Sequence, residues 1–110
     1  MAQPVFTIKE RSTFTIIKNK GNYIMGKNIN IQILPNQPLN DRIGFGYTAT
    51  KRIGKAFKRN KAKRIMRELA KKILINCKIN SYYVLIAKPT ILETSFEELF
   101  KELKAKINEK

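Results

Sequence analysis

The sequence predicts a single domain that mixes helices and strands. It has 110 residues, 43% of them hydrophobic, and shows no internal repeat, low-complexity tract or linker, which suits one domain over residues 1–110. Apolar residues alternate in three segments, which predicts strands, and recur at helical spacing in three others. In chain order we expect a helix (12–20), two strands (28–34 and 42–50), a basic helix within 51–73, a strand (80–88) and a final helix that begins after Ser95.

The two strands in the first half of the chain differ in side-chain size. The segment Asn28 to Leu34 reads NINIQIL, and its strict alternation is typical of a strand that is buried on one face. The segment Arg42 to Thr50 alternates large apolar residues with an unusually small set: Gly44, Gly46, Thr48 and Thr50. Glycine within a strand often marks a place where another backbone or a ligand comes close. A bulge, or a neighbouring helix packed tightly over the sheet, is the other explanation. Both explanations stay open.

Local signals bound the first and last helices. Gly21 follows the first helix, which carries Phe14 and Ile17 on one side, and glycine is favoured just past a helix end. Ser95 and Glu98 have the spacing of a capping box. We expect capping and pairing four residues apart to account for the glutamates of this last helix, which are Glu97, Glu98, Glu102 and Glu109.

A basic segment dominates the charge of the chain. Residues 51–72 read KRIGKAFKRNKAKRIMRELAKK and contain eleven basic residues and one acidic residue, Glu68, in a chain with a formal charge of +15. Its apolar residues fall within one helical arc of about 100°, the width of a core-facing stripe: Ala62, Ile65, Met66, Leu69 and Ile73. A packed helix holds its basic groups in a fixed array. We expect so much positive charge to bind a polyanion, either nucleic acid or an anionic membrane.

Other sequence features narrow the location. No apolar run approaches the roughly 20 residues that span a bilayer, and Met1 to Glu10 lacks the pattern of a secretory signal. We therefore expect a cytoplasmic protein that does not act at a membrane. Cys77 is the only cysteine, and a reduced, partly buried thiol is its simplest interpretation.

The residue types present argue against catalysis by the polypeptide. The chain has no histidine and one aspartate, Asp41, whereas a two-metal nuclease needs several carboxylates around ions about 4 Å apart. Glu68 has the spacing to pair with Arg64, Lys71 or Lys72, although it could also contact an ion held by bound RNA. We expect the pairing. The sequence thus predicts no catalytic residue and no metal ligand in the protein.

The run from Phe45 to Ala70, FGYTATKRIGKAFKRNKAKRIMRELA, resembles the signature of the bacterial ribonuclease P protein family. In that family a strand that ends in small and basic residues leads through a glycine into a helix carrying Arg-Asn-Arg, then Lys-Arg, then Arg. The matching positions hold Lys51, Arg52, Gly54, Arg59, Asn60, Lys61, Lys63, Arg64 and Arg67. Weaker similarity includes Phe14, Gly21 and residues 87–89.

The resemblance implies an RNA-binding subunit of ribonuclease P, which assists a catalytic RNA in removing the 5′ leader of precursor tRNA. The implied partners are the catalytic RNA and precursor tRNA, and the implied cofactor is Mg²⁺ bound mainly by the RNA. The implied RNA-binding residues are Lys51, Arg52, Lys55, Arg59, Asn60, Lys61, Lys63, Arg64 and Arg67. The implied cleft for the single-stranded leader contains Phe14, Lys18, Thr48 and Lys88.

Four positions depart from the family pattern. Lys61 replaces an arginine and loses its planar, bidentate fork. Lys18 and Gln32 stand where the family can have aromatic residues, and Lys88 stands where it commonly has arginine. Recognition of the leader by stacking is therefore in question.

The resemblance also implies an α/β sandwich with a mixed sheet and three helices, like domain 2 of ribosomal protein S5. It implies a left-handed crossover from the second predicted strand through the basic helix to the third, against the usual preference. A ribosomal or other structural RNA-binding protein is the alternative function. A DNA-binding module and a free-standing protein nuclease explain fewer of these features.

Overall fold

A computed structural model of the chain describes residues 5–108, in which three helices lie on the two faces of one five-stranded sheet. The strands are β1 (Val5–Thr7), β2 (Asn22–Ile24), β3 (Ile29–Leu34), β4 (Ile43–Thr48) and β5 (Ser81–Ala87). The helices are α1 (Arg11–Lys20), α2 (Ala56–Ile73) and α3 (Phe96–Asn108). Residues 1–4 and 109–110 of the predicted domain lie outside the described part.

The sheet is mixed, as the resemblance implied. Its strand order is β1-β4-β5-β3-β2. Strand β4 runs parallel to β1 and β5, whereas β3 runs antiparallel to β5 and β2. The chain leaves β4, passes through α2 and returns as the neighbouring parallel strand β5, so the crossover itself is confirmed. Its left-handedness and the likeness to the ribosomal domain stay predictions.

Two apolar clusters hold the layers together. The larger cluster joins one face of β3, β4 and β5 to α2 and α3, with Phe45, Met66 and Leu103 at its centre. The smaller cluster lies under α1 and contains Ile8, Ile17, Leu34 and Val84. The sheet is therefore covered by α2 and α3 on one face and by α1 on the other.

Covering by α1 corrects one expectation about β3. The strand was predicted to be buried on one face only, yet Gln32 and Leu34, which lie opposite its isoleucine side, are also buried. Helix α1 packs over them, and its side chain Ile17 is completely buried. The alternation in the sequence shows which face of the strand carries polar residues, but it does not show whether that face is covered. Here the polar residue Gln32 lies on the covered face.

Strands β1 and β2 were not predicted. Each has three residues, too few for an alternation to be recognised. They are defined by long-range pairing, β1 along β4 and β2 along β3. The predicted helices and strands are all present, and their ends lie within one or two residues of the predicted ones. The first helix, for example, begins at Arg11, one residue earlier than predicted.

Glu102 has a structural role that the sequence analysis assigned wrongly. Its carboxylate accepts hydrogen bonds from the backbone N–H of Asn28 (2.8 Å), from Asn28 Nδ2 (2.7 Å) and from the N–H of Ile29 (3.1 Å). These bonds tie α3 to the start of β3, and their partners lie far away in sequence. The predicted cap is confirmed, since the N–H of Glu98 donates to Ser95 Oγ at 3.2 Å.

The other two glutamates of that helix have different outcomes. Glu97 pairs with Lys101, four residues on, at 3.6 Å. Glu109 lies outside the described residues.

Candidate nucleic-acid interface

Helix α2 is held by its apolar stripe, which leaves its basic residues in solvent. The predicted core-facing residues Ala62, Met66, Leu69 and Ile73 are buried, and Ile65 packs against the same cluster. The sheet lies on that side of the helix. The opposite side of α2 is therefore free to meet a partner.

The turn before α2 fixes the start of the basic array. Residues Lys51–Ile53 form one turn of 3-10 helix, which is anchored by the buried side chain of Ile53. Gly54 follows with φ +132°, a conformation that side chains with a Cβ rarely adopt. The carbonyl oxygen of Gly54 accepts a hydrogen bond from Arg59 Nη1 at 2.8 Å. Arg59 is therefore partly buried and helps to hold the turn against α2.

Most of the predicted RNA-binding residues lie exposed on α2 and on the turn before it. The exposed members are Lys51, Arg52, Lys55, Asn60, Lys61, Arg64 and Arg67. Lys58, Lys71 and Lys72 are also exposed, and we call these ten residues the basic surface. Arg59 and Lys63 are partly buried. The pattern of charges in the sequence thus corresponds to an exposed array with fixed spacing.

The side chain of Arg67 contacts Tyr47 of the sheet. Its guanidinium carbon lies 5.6 Å from the centre of the Tyr47 ring, within the range of a cation–π contact. Burial raises the pKa of Tyr47 to about 12, although the charge of Arg67 works in the opposite direction. The tyrosine is therefore neutral at pH 7, and its ring supports one edge of the basic surface.

Glu68 forms the predicted ion pair. Its Oε1 lies 3.4 Å from Lys71 Nζ, and both side chains are exposed. Such a pair contributes little to stability, because water screens it. The pair still lowers the net charge at one end of the basic surface.

A cleft lies between the start of α1 and the end of β4. It has a volume of about 470 Å³ and is lined by Lys9, Arg11, Phe14, Tyr47, Thr48, Ala49 and Lys63; we call it the α1 cleft. Phe14 and Thr48, both predicted for the leader cleft, meet here. Lys63, which was predicted to bind RNA from α2, also lines this cleft. Three cationic side chains, two from around the start of α1 and one from α2, thus line the cleft together with the rings of Phe14 and Tyr47.

The small residues of β4 are explained by packing. A Cβ added to Gly46 would lie 2.6 Å from Cε1 of Phe14, and one added to Gly44 would lie 2.8 Å from Cζ of Phe6. Aromatic rings therefore lie directly on the strand at both glycines. Of the two explanations left open, tight packing by the chain itself applies at both glycines.

Comparison with known proteins gives the family. The family model described as Ribonuclease P matches residues 4–109. The chain belongs to the ribonuclease P protein family. It is 38% identical over 104 residues to the ribonuclease P protein component of Fusobacterium nucleatum subsp. nucleatum, which covers 93% of this chain and 90% of that one. It is 31% identical over 99 residues to the component of Nitratiruptor sp., with 90% and 86% coverage.

Solved structures of the family share the fold. The ribonuclease P protein of Thermotoga maritima has a TM-score of 0.82 at 18% identity, with 94% of this chain and 96% of that chain covered. The protein of Staphylococcus aureus has a TM-score of 0.79 at 22% identity, with 93% and 92% coverage. Family membership confirms the resemblance on which the sequence analysis rested. It also gives this chain an RNA partner in the ribonuclease P complex.

The other two predicted leader residues lie away from the α1 cleft. Lys18 is exposed in the last turn of α1, and Lys88 follows β5, where its Nζ donates to the carbonyl oxygen of Gly26 at 3.0 Å. Neither is among the residues that line the cleft. Lys88 is thus partly used by the fold, whereas Lys18 extends the positive charge along α1.

The departures from the family pattern have structural counterparts. Gln32 is buried beneath α1, and its neighbour on β2 is Tyr23, which is exposed. The Tyr23 hydroxyl accepts a hydrogen bond from Asn30 Nδ2 at 2.8 Å. Gln32 thus provides no aromatic ring, but the exposed ring of Tyr23 lies beside it on β2.

Sequence reasoning missed four residues that line the α1 cleft, namely the cations Lys9 and Arg11 together with Tyr47 and Ala49. A signal existed for Arg11, because it lies three residues before Phe14 and so shares a helix face with it. Lys9 precedes the helix, and its place depends on the pairing of β1 with β4. The role of Lys63 as a wall of the cleft depends on the packing of α2.

Within residues 5–108, no group of three or more histidine, cysteine, aspartate or glutamate side chains could hold a metal ion. Over the same range no helix is both long and apolar enough to cross a membrane. Burial raises the pKa of the Cys77 thiol to about 12, so this buried cysteine stays protonated and unreactive.

Proposed function

We propose that this protein is the RNA-binding subunit of ribonuclease P and assists the catalytic RNA in removing the 5′ leader of precursor tRNA. The observation that carries the proposal is the basic surface, an exposed array on a packed helix within a chain of this family. A catalytic RNA supplies phosphates at close spacing, and fixed cations can match them. The chain would work in the cytoplasm, together with its RNA.

The basic surface binds phosphates of the catalytic RNA. Arg64 and Lys61 project from the solvent side of α2, and Asn60 beside them can donate and accept hydrogen bonds. Each neutralised phosphate releases counterions, so affinity falls steeply as salt is added. Neutralisation also lowers the repulsion between the RNA and precursor tRNA. The protein thus favours their approach without taking part in bond cleavage.

The α1 cleft receives the single-stranded leader. The three cations that line it, Lys9, Arg11 and Lys63, suit a phosphate backbone, and the partly exposed ring of Phe14 offers a surface for a base. Thr48 forms part of the floor. Lys18 and Lys88 extend the positive charge beyond the cleft and would contact the leader further along. Mature tRNA has no leader and gains nothing from these residues.

Catalysis belongs to the RNA. The chain has no histidine, and the described residues do not assemble a metal-binding cluster. They do not fit a protein-bound Mg²⁺ ion, so the Mg²⁺ required for cleavage is held mainly by the RNA. The protein acts by positioning and by screening charge.

The deciding experiment measures cleavage of precursor tRNA by a bacterial ribonuclease P RNA at low Mg²⁺, with and without this protein. We expect the protein to raise the rate, and the protein alone to give none at any Mg²⁺ concentration. The double variant Arg64→Ala, Arg67→Ala should lose most of the stimulation and show a shallower dependence of affinity on salt. Binding without stimulation would favour the alternative of a structural RNA-binding protein.

The cleft is tested by comparing precursor and mature tRNA. Thr48→Trp places bulk in the α1 cleft, and Lys63→Ala removes one of its charges. Both should weaken binding of precursor tRNA by the assembled complex more than binding of mature tRNA. Thr48→Val is the matched control, because it keeps the shape of threonine. Equal losses for both tRNAs would place the leader elsewhere.

A further inference from the structure

Phe57 is an exposed aromatic residue in the first turn of α2. Its side chain is 66% exposed, and it belongs to neither apolar cluster. Within residues 5–108 its ring contacts no other aromatic ring and no cation. A single exposed apolar side chain is ordinary, so the argument depends on what surrounds this one.

The surroundings of Phe57 are those of a nucleic-acid contact. Asn60, Lys61 and Arg64 follow at three, four and seven residues, which places them on the same face of the helix, and all three are exposed. Lys55 and Lys58 flank the ring in sequence and are exposed as well. The one acidic residue of α2, Glu68, lies about three turns away. The exposed ring thus shares its face of the helix with Asn60, Lys61 and Arg64.

An RNA base fits this position better than a lipid surface does. A membrane-binding helix needs a broad apolar face in addition to its basic residues. The apolar stripe of α2 is buried against the sheet, with Met66 and Leu69 fully covered, so Phe57 is the one large apolar side chain that α2 exposes. One ring among phosphate-binding groups is sufficient for one unpaired base.

We propose that Phe57 stacks on an unpaired base of the catalytic RNA whose phosphates bind Lys61 and Arg64. The inference rests on the proposed function, since it names a contact within the same RNA-binding surface. Phenylalanine has no hydrogen-bonding group, so the contact tolerates any base that is unpaired at that point. Stacking of this kind contributes about 1–3 kcal/mol per base by alanine substitution.

A tryptophan probe tests the stacking directly. The chain contains no tryptophan, so Phe57→Trp introduces a single fluorophore at the proposed contact. We expect strong quenching when a bacterial ribonuclease P RNA is added. Ile75→Trp is the matched control, because Ile75 is 89% exposed and lies beyond the other end of α2; its emission should change little. Equal emission changes in both variants, or none in Phe57→Trp, would refute the stacking.

Affinity measurements separate stacking from charge. Phe57→Ala should weaken binding about 5- to 150-fold while leaving the salt dependence unchanged, because no charge is removed. Phe57→Leu should behave like the alanine variant, and Phe57→Tyr like the wild type. Wild-type affinity in Phe57→Ala or Phe57→Leu would overturn the proposal. All variants should unfold at the wild-type urea concentration, since the side chain is exposed.

Three further outcomes separate this inference from the proposed function. An unchanged salt dependence in the variant Arg64→Ala, Arg67→Ala would contradict the RNA-binding surface as a whole. A loss of affinity in that variant, with none in Phe57→Ala, would reject the stacking alone. A blue shift of Phe57→Trp emission with phosphatidylserine vesicles, without quenching by the RNA, would identify a membrane contact instead and sink the proposal.

Discussion

The basic surface and the α1 cleft differ in how far the fold itself uses their side chains. Within residues 5–108, the side chains of Lys61 and Arg64 on the basic surface form no hydrogen bond or ion pair with the rest of the protein. In the cleft, by contrast, Phe14 lies on Gly46, and Tyr47 stacks on Phe45 with ring centroids 6.4 Å apart. The cleft therefore exists because its walls are packed.

This difference separates two kinds of mutational effect. Substitutions on the basic surface should change RNA binding and leave the free energy of unfolding almost untouched, since exposed positions away from special contacts contribute little. Substitutions in the cleft should change stability and binding together. A stability measurement on each variant thus tells which region a residue belongs to. The predictions below run from the largest expected effect to the smallest.

Gly46→Val should have the largest effect on stability. The new side chain would overlap Phe14, which lies where its Cβ must go, and overpacking of this kind costs about 1–3 kcal/mol. Urea denaturation gives the free energy of unfolding. Thr48→Val, on the same face of the strand but partly exposed, should change it by less than about 0.5 kcal/mol. If Gly46→Val and Thr48→Val had equal free energies of unfolding, the packing of the Phe14 ring would not require a glycine at position 46.

Two arginines of α2 provide the second test. Arg59 donates to the carbonyl oxygen of Gly54, so Arg59→Ala should lower the free energy of unfolding by about 1–2 kcal/mol. Arg64→Ala should leave it within about 0.5 kcal/mol of the wild type. Both variants should bind the catalytic RNA more weakly, as a titration at fixed salt would show. If Arg64→Ala proved as destabilising as Arg59→Ala, the side chains of the basic surface would stabilise the fold after all.

Two lysines predicted for the leader cleft provide a smaller test. Lys88 donates to the carbonyl oxygen of Gly26, whereas Lys18 is exposed. Lys88→Met should lower the free energy of unfolding by about 1 kcal/mol, and Lys18→Met should change it by less than half as much. Both variants should weaken the binding of precursor tRNA by the assembled complex more than the binding of mature tRNA. Equal free energies of unfolding in the two variants would show that Lys88 does not stabilise the fold.

The sequence was sufficient for the parts of the fold that have a clear period. Helix α2 and strand β5 were predicted because their apolar residues recur over many positions, and the buried stripe of α2 is the predicted one. The basic surface was predicted for the same reason, since charges opposite a buried stripe are exposed. The ends of elements and the three-residue strands β1 and β2 depend on pairing partners and carry no such period.

Long-range contacts account for most of what sequence reasoning missed. Glu102 was interpreted as a helix-surface residue, because its partner Asn28 lies far away in sequence, just before β3. The α1 cleft combines Lys9, Thr48 and Lys63 from three segments, and no local pattern brings these together. Gly46 was recognised as a point of close approach, but only the packing of α1 shows that Phe14 is the group that approaches.

The smallest expected effect is the pH dependence of stability near neutrality. Burial raises the pKa of the Cys77 thiol and of the Tyr47 hydroxyl to about 12 each, so folding favours their protonated forms. Below the unfolded pKa values of about 8.5 and 10, these groups are protonated in both states and stability does not depend on them. As pH rises above those values, the unfolded chain loses protons first, and stability falls until the folded pKa is reached.

Urea denaturation between pH 7 and pH 9 measures the onset of this decline. A thiol reagent at pH 8 gives an independent reading of the same burial. Because the thiol is buried and protonated, labelling of native Cys77 requires opening of the structure, so its rate reports the equilibrium population of open forms. Arg64→Ala should label at the wild-type rate, whereas Gly46→Val should label faster in proportion to its loss of stability. Equally fast labelling in both would mean that the basic surface supports the fold after all.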